Sequence, residues 1–419
     1  MNVLFVHNNF PAQFRHVAAA LAKAGGFRMA AIGEEGAADV ASVDLRRYDR
    51  MGGAIAETHS FARRFDHECR RAERVMFKAL QLKSEGFEPD LVVAHCGWGE
   101  TLPLRALFPR ARIAIYCEFY YRSEGQDVGF DDEMGRFGLD GYVMIGTKNA
   151  STLISLVDAD LGISPTPWQK STFPQEFQSK IHVAHEGIDT KWIAPDGAAK
   201  YQVPGGPRLD RDDEVITYFT RGYEPTRGFH VFMRALPELQ RRRPNAHAVL
   251  VGTEDVYYGN RAPGGLSWKE YCLREVLPGI DVSRVHFLNW LPHADLRSLM
   301  QISTVHVYLT YPFVLSWSCV EAMSAGCAVV ASDTGPVRDV IVHDENGVLT
   351  PFHDSAALAA AIAELAGDAP RRARLGARAR EIACSHFDVN ACVKRTLDLL
   401  GVELASQESS GHFAAVVAA

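Results

Sequence analysis

Two arginines six residues apart, Arg221 and Arg227, lie in the segment TRGYEPTRGFHVFMRAL, directly after the apolar run Val215–Phe219 and where a helical pattern begins. Guanidinium forks match phosphate oxygens, so two of them at a strand end can bind a pyrophosphate. The plainer alternative is a solvated pair of loop arginines, with Glu224 orienting one of them through a salt bridge. A second segment, TYPFVLSWSCVEAMSAGCAVVASDTGPVRDVI, reads as strand end, loop, short helix, strand, loop and helix. Ser316 or Ser318 is placed to cap the short helix, and Gly326 to end it. A helix start offers backbone N–H groups and a positive dipole end, which suit a diphosphate. Glu321, about one turn inside, is acceptor-only when ionised and can take two hydrogen bonds from a diol. As an ordinary exposed helix residue it would need no function, but Val320, Ala322 and Met323 around it describe a helix that is largely buried.

Acid–base candidates cluster earlier in the chain. His95 ends the strand pattern of VVAHCGWGE, where it can donate a hydrogen bond or move a proton, although a lone histidine beside an apolar strand is as often structural. Trp98, Glu100 and Glu118 (in YCEFYY) are further candidates, and Asn9, Phe10 and Gln13 of HNNFPAQF follow the first strand. Phe10-Pro11 can equally shape that turn. Asp131-Asp132, in DVGFDDE, reads as a polar turn and not as a magnesium clamp.

These residues need a frame. Short apolar runs alternate with helical patterns: Val3–Val6, Met29–Ile32, Leu91–Ala94, Ile113–Tyr116 and Gly162–Ser164 read as strands, with a long helix at about Phe61–Leu82. From Ala194 the stretch APDGAAKYQVPGGPRLDRDDE, rich in Pro, Gly and charge, reads as a connector. A second series follows: Val215–Phe219, Ala248–Val251, Val285–Leu288, Val305–Leu309, Ala328–Ser332 and Gly347–Leu349. The expected fold is α/β, with two Rossmann-like doubly wound domains facing a central cleft. The expected boundaries are 1–195 for an acceptor-side domain and 212–385 for a donor domain. A helix over 386–402 should pack back on the first domain, leaving 403–419 as a mobile tail. Ligands of open α/β sheets bind outside the carboxyl ends of the strands, which is where the residues above fall.

At 419 residues the chain is long enough for two cores. Its net charge of −7 gives no sign of a nucleic-acid partner. Eight scattered cysteines form no CxxC pair, against a structural zinc site or a disulfide framework. The chain begins directly on a strand pattern and has no apolar stretch of membrane-spanning length, so the expected compartment is the cytoplasm. A helix bearing Arg63, Arg64, Arg70, Arg71, Arg74 and Lys78, interrupted by Asp66, Glu68 and Glu73, can touch anionic lipid at the inner face of the membrane, or can simply be a solvated helix with internal ion pairs.

The 310–341 segment resembles the donor-site signature of family-4 retaining glycosyltransferases, which have the GT-B fold. Glu321, Ala322, Met323, Gly326, Val329 and Val330 are the matching residues, and Arg227-Gly228 stands where that family usually has Lys-Gly. The loop YPFVLSWS is similar to a branch linked to exopolysaccharide and other surface-polysaccharide synthesis. The chain departs from the family at Phe313, where a first glutamate usually stands eight positions before the second. The resemblance implies transfer of a sugar from a UDP- or GDP-linked donor to a glycan or lipid-linked acceptor, without metal or cofactor. It further implies that Val314, Leu315, Ser316, Trp317 and Ser318 help hold the donor, that main chain near Trp290 and Leu291 holds the base, and that His95 stands near the sugar and acceptor. Two other readings share the architecture: a nucleotide-sugar 2-epimerase, and a protein that binds sugar nucleotides without catalysis.

Overall fold

In the computed structural model, which describes residues 1–50 and 58–404, the chain forms two compact α/β units. The first contains Met1–Gly129, Gly135–Gly187 and the chain from Val389; the second contains Phe130–Met134 and Ile188–Asp388. From residue 405 onward the tail lies outside the described residues.

The first unit is a seven-stranded parallel sheet: β1 (Asn2–Val6), β2 (Arg28–Glu34), β3 (Val43–Tyr48), β4 (Leu91–His95), β5 (Arg112–Tyr116), β6 (Leu161–Ser164) and β7 (Ile181–Val183), in the order β3-β2-β1-β4-β5-β6-β7. The apolar runs are continuous because both faces of the sheet are covered. Val3, Phe5, Leu91 and Val93 point to one face, against Val17 and Leu21 of the helix Arg15–Ala24 and Val389, Val393 and Leu397 of the helix Val389–Leu400. Leu4, Val6, Val92 and Ala94 point to the other, against Val75, Ala79 and Leu82 of the helix Arg63–Ser84. The last helix can come this close because position 187 is glycine: its φ is +86°, and a Cβ there would lie 2.6 Å from Val389 Cα.

The second unit repeats the plan with β10 (Val215–Gly222), β11 (His247–Thr253), β12 (Val285–Leu288), β13 (Val305–Tyr308), β14 (Val329–Ser332) and β15 (Val348–Thr350), all parallel, in the order β12-β11-β10-β13-β14-β15. Just before β10 in sequence, β8 (Lys200–Gln202) and β9 (Arg208–Asp210) form an antiparallel hairpin. This corrects the reading of that stretch as a bare connector. Its Pro-Gly-Gly turn joins two short alternating strands, and Tyr201, Val203 and Leu209 are buried in the core of the second unit.

Both sheets reverse their winding once, between β1 and β4 in the first unit and between β10 and β13 in the second. Outside the carboxyl ends of these strand pairs the flanking loops diverge and leave room for a ligand. Among the described residues no helix is long and apolar enough to cross a membrane.

Candidate active site

At the reversal point of the second unit, Arg221 is the penultimate residue of β10, exposed, with its guanidinium carbon 4.1 Å from the ring centre of Tyr257. The chain then makes the single turn Pro225–Arg227 and enters the helix Phe229–Arg242 through Gly228. Gly228 has φ +69°, and a Cβ there would stand 2.5 Å from Leu309 Cβ, so only glycine lets this turn lie against the end of β13. The consequence is the placement of Arg227. Its Nη1 donates to Thr310 Oγ1 (2.8 Å) and to the Val314 carbonyl (2.9 Å), and lies 3.5 Å from the Tyr308 hydroxyl. Arg227 is buried, whereas Arg221 is open to solvent.

The helix carrying Glu321 spans Trp317–Ser324. Ser316 caps it, its Oγ accepting from the Ser318 N–H at 3.4 Å, while the Ser316 N–H donates to the Tyr308 hydroxyl at 2.8 Å. Val314, Leu315, Ser316, Trp317 and Ser318 are all half-buried beside Arg227 and Tyr308. The Val314 carbonyl and the Ser316 N–H are already engaged by protein partners, which narrows the main-chain groups of this loop that can meet a sugar hydroxyl. Phe313 is buried, 5.1 Å from the Tyr258 ring and 5.7 Å from the Arg227 guanidinium. Glu321 Oε1 lies 2.9 Å from His293 Nε2, a partner that precedes it by 28 residues and comes from the turn after β12. On that turn Trp290 is 73% exposed, which removes the possibility that it is a core residue, and half-buried Leu291 packs against the core.

Glu224 does not pair with either arginine. It is fully buried, and one oxygen, Oε2, accepts the N–H groups of Tyr257 (3.1 Å) and Tyr258 (3.0 Å). Burial pushes its carboxyl up, against the pull of those N–H groups and of Arg227.

At the reversal point of the first unit, His7 follows β1 and His95 ends β4, their rings 5.1 Å apart edge to face. His95 Nδ1 accepts from the Gly97 N–H (3.0 Å), which leaves Nε2 to carry the proton, 3.5 Å from Glu118 Oε2. Burial disfavours charge on His95, but the Glu118 carboxylate more than offsets it and the pKa is raised. His7 goes the other way, held well below the usual value by burial and by His95. Gln13 Nε2 donates to Glu118 Oε1 at 3.0 Å. His95 is only 2% exposed, under Tyr116 and half-buried Trp98; Glu118, at 31%, is the member of this group that reaches solvent. Asn9 is exposed, its N–H donating to His7 Nδ1. Of the two readings of Phe10, the structure favours the turn-shaping one: it has no exposed surface and packs on Phe5 in the core. Glu100 is also fully buried, accepting from Asn8 N–H (2.9 Å) and Tyr48 hydroxyl (2.6 Å), and burial pushes it up to about 7.

Asp131 does form a polar turn, its Oδ1 accepting from the Glu133 N–H at 3.1 Å, and it makes longer-range bonds as well. It is buried within the second unit, accepting from His230 Nε2 (2.9 Å) and the Tyr311 hydroxyl (2.8 Å). Burial opposes its charge, yet those two bonds hold it down at about 2. Asp131, Glu133 and His230 offer ligand atoms within 4.8 Å of one another, but both Glu133 oxygens take Arg234 at 2.6 Å, so the group is a closed hydrogen-bond network. On the helix Arg63–Ser84, Arg64 pairs with Glu68, Arg70 with Asp66 (2.9 Å), and buried Arg71 donates to the Trp98 carbonyl. Among the described residues Arg63, Arg74 and Lys78 make no ion pair, and Phe77 and Leu80 of the same helix are exposed.

The residues missed in the sequence are His7, Tyr257, Tyr258 and His293. Each stands in the first few residues after a strand of its sheet, which was the available signal.

Residues 25–193 match the family model described as glycosyl transferase family 4 group, and residues 207–382 that of glycosyl transferases group 1. The fold is GT-B: Anabaena HepE, solved in complex with UDP, superposes with a TM-score of 0.68 at 18% identity over 96% of this chain and 100% of that one. A phosphatidyl-myo-inositol mannosyltransferase of Mycolicibacterium smegmatis is 30% identical over 52% of this chain and 58% of its own length. A GDP-mannose-dependent alpha-(1-6)-phosphatidylinositol monomannoside mannosyltransferase of the same organism is 24% identical over 72% of this chain and 75% of its own length. The chain thus spans little more than half of the first of these relatives and about three quarters of the second.

Proposed function

We propose that this protein is a retaining glycosyltransferase that moves a hexose from a UDP- or GDP-linked donor to a glycan or lipid-linked acceptor, in surface-polysaccharide synthesis, at the cytoplasmic face of the membrane. The observation that carries the reading is the convergence of Arg221, Arg227 and the capped start of the helix Trp317–Ser324 at the strand reversal of the second unit. The matched family models and the nucleotides named for HepE and the mannosyltransferase support it.

In this reading the reaction needs one thing above all: a fixed positive environment for the diphosphate as it leaves. Arg221, exposed and with its guanidinium carbon 4.1 Å from the ring centre of Tyr257, can close on the phosphates without giving up a hydrogen bond or ion pair. Arg227, anchored through Nη1, supplies a fixed charge behind them. The helix start adds its dipole. The acceptor hydroxyl then attacks on the face the diphosphate leaves: the bond from the anomeric carbon to the phosphate oxygen breaks, the bond to the hydroxyl oxygen forms, the hydroxyl proton passes to the departing phosphate, and that phosphate offsets the positive character of the ring. No metal ion is required for that charge balance. Glu321, oriented by His293, takes the ribose hydroxyls. In the first unit Glu118, steadied by Gln13 and His95, is the group that meets the acceptor.

A thermal-shift screen over UDP-, GDP- and ADP-sugars tests the donor. A rise in Tm with one nucleotide series, followed by release of that diphosphate only when acceptor is added, supports transfer. Conversion of the donor to an epimer without acceptor, or binding without turnover of any acceptor, contradicts it.

A further inference from the structure

The buried carboxylate of Glu224 has no role in the chemistry above, yet it is the best-enclosed acidic group near the two arginines. Its side chain has no exposed surface. Oε2 accepts both the Tyr257 and Tyr258 N–H groups, and Oε1 is buried without a hydrogen-bond partner. The two tyrosines it holds belong to the loop between β11 and the helix Trp268–Val276, and both rings are part-exposed. The Tyr257 ring centre lies 4.1 Å from the Arg221 guanidinium carbon. Tyr258 meets the Phe313 ring at 5.1 Å and stands 5.8 Å from the Arg227 guanidinium. Further ties fix the loop at its ends: Tyr223 N–H to the Thr253 carbonyl (2.8 Å), Lys269 to Glu254 (2.8 Å), and Trp268 Nε1 to the Asn260 carbonyl (2.9 Å). A Cβ at Gly222 would stand 2.4 Å from the Asp255 carbonyl oxygen, so this loop presses directly on the end of β10.

We propose that Glu224 is a positioning residue of the donor site: by clamping the main chain of Tyr257 and Tyr258 it sets an aromatic wall that aims Arg221 and lines the pocket beside Arg227 for the sugar diphosphate. The inference rests on the donor-site reading above. An exposed arginine explores many rotamers, and a ring fixed beneath its guanidinium removes part of that freedom before the ligand arrives. A ring can do so only if its own backbone is held, and Glu224 is what holds it from inside the fold.

The clamp makes a distinction between two substitutions. In Glu224→Gln the amide oxygen can occupy the place of Oε2 and keep both N–H bonds, with the amide nitrogen at the orphan Oε1 position. In Glu224→Ala both bonds are lost. Amide hydrogen exchange, measured by mass spectrometry on the whole chain, should therefore show residues 254–262 exchanging at least tenfold faster in Glu224→Ala and unchanged in Glu224→Gln. With UDP-glucose or GDP-mannose as probe, whichever the wild type binds, the donor KM should rise about tenfold in Glu224→Ala with a smaller change in kcat, and Glu224→Gln should restore it. Tyr257→Ala, at a part-exposed side chain, should reproduce the KM effect with little change in Tm, and keeps the test decisive if Glu224→Ala fails to fold. Wild-type exchange and KM in Glu224→Ala would overturn the proposal, as would a Glu224→Gln protein that loses donor affinity while its loop stays protected. If the wild type binds neither nucleotide, the donor-site reading itself fails, and the exchange data still report whether Glu224 holds the loop.

Discussion

Arg221→Ala separates binding from folding more cleanly than any other change in the site. Among the described residues the Arg221 side chain makes no hydrogen bond or ion pair; its one contact of note is the face of Tyr257 at 4.1 Å. Its carbonyl accepts from Thr253 Oγ1 at 3.2 Å, and alanine keeps that bond. An exposed cation–π contact is worth about 0.5–1 kcal/mol, and for a domain of this size 1 kcal/mol moves Tm by roughly 2–4 °C. Unfolding followed by circular dichroism should therefore find the variant within about 4 °C of wild type. Its function should change far more. A guanidinium aimed at the charge of a departing diphosphate should be worth about 3–4 kcal/mol, a loss of roughly a hundred- to a thousandfold in kcat/KM. Release of UDP or GDP, followed through a coupled enzyme against donor concentration, measures it. Wild-type kcat/KM at unchanged Tm would remove Arg221 from the mechanism, and a fall in Tm above 10 °C would show the side chain to be structural.

Arg227→Ala should behave in the opposite sense on stability. It removes two charge-assisted bonds, to Thr310 and Val314, from a buried position, which should cost about 3 kcal/mol or more by urea unfolding, and activity should be lost with it. Glu100→Gln should change how stability varies with pH. The Glu100 carboxyl is pushed up to about 7 by burial, against about 4.3 in the unfolded chain. Its contribution is thus fully present below the unfolded value and lost as pH rises through about 7. The glutamine variant should gain relative to wild type over that window, by up to about 4 kcal/mol; parallel stability–pH curves for the two proteins would contradict this. Co-sedimentation with vesicles containing anionic lipid should fall when Arg63, Arg74 and Lys78 are replaced together by Glu. Binding that ignores both lipid charge and this triple change would end the membrane-docking reading of that helix.

Much of the fold is legible in the sequence because parallel strands covered on both faces must be continuous apolar runs, as Val3–Val6 and Val215–Phe219 are. β3 is not, because an edge strand carries charge, here in VDLRRY, and so resembles a loop. The hairpin β8–β9 hides in a Pro/Gly-rich, charged stretch whose three apolar anchors are too few to show a pattern. In the site, the turn that seats Arg227 could be anticipated from Gly228, and the cap from Ser316. The partners could not. Glu224 looks like a mate for the arginines three residues away on either side, but the turn Pro225–Arg227 drives its carboxylate into the core, toward backbone more than thirty residues further on. His293 reaches Glu321 across 28 residues, and His7 reaches His95 across the sheet reversal, relations that strand order creates and spacing does not reveal. Position after β1 leaves Phe10 open to either a ligand-side or a turn-shaping role, and its apolar ring takes the core.

The central claim is that a nucleoside diphosphate is held by Arg221, Arg227 and the start of the helix Trp317–Ser324. A crystal structure of the chain soaked with UDP or GDP tests it most directly. Diphosphate oxygens should lie about 3 Å from the Arg221 guanidinium and against that helix start, with the ribose at Glu321. A diphosphate bound elsewhere on the chain, with Arg221 still lying on Tyr257 and facing solvent, would contradict it.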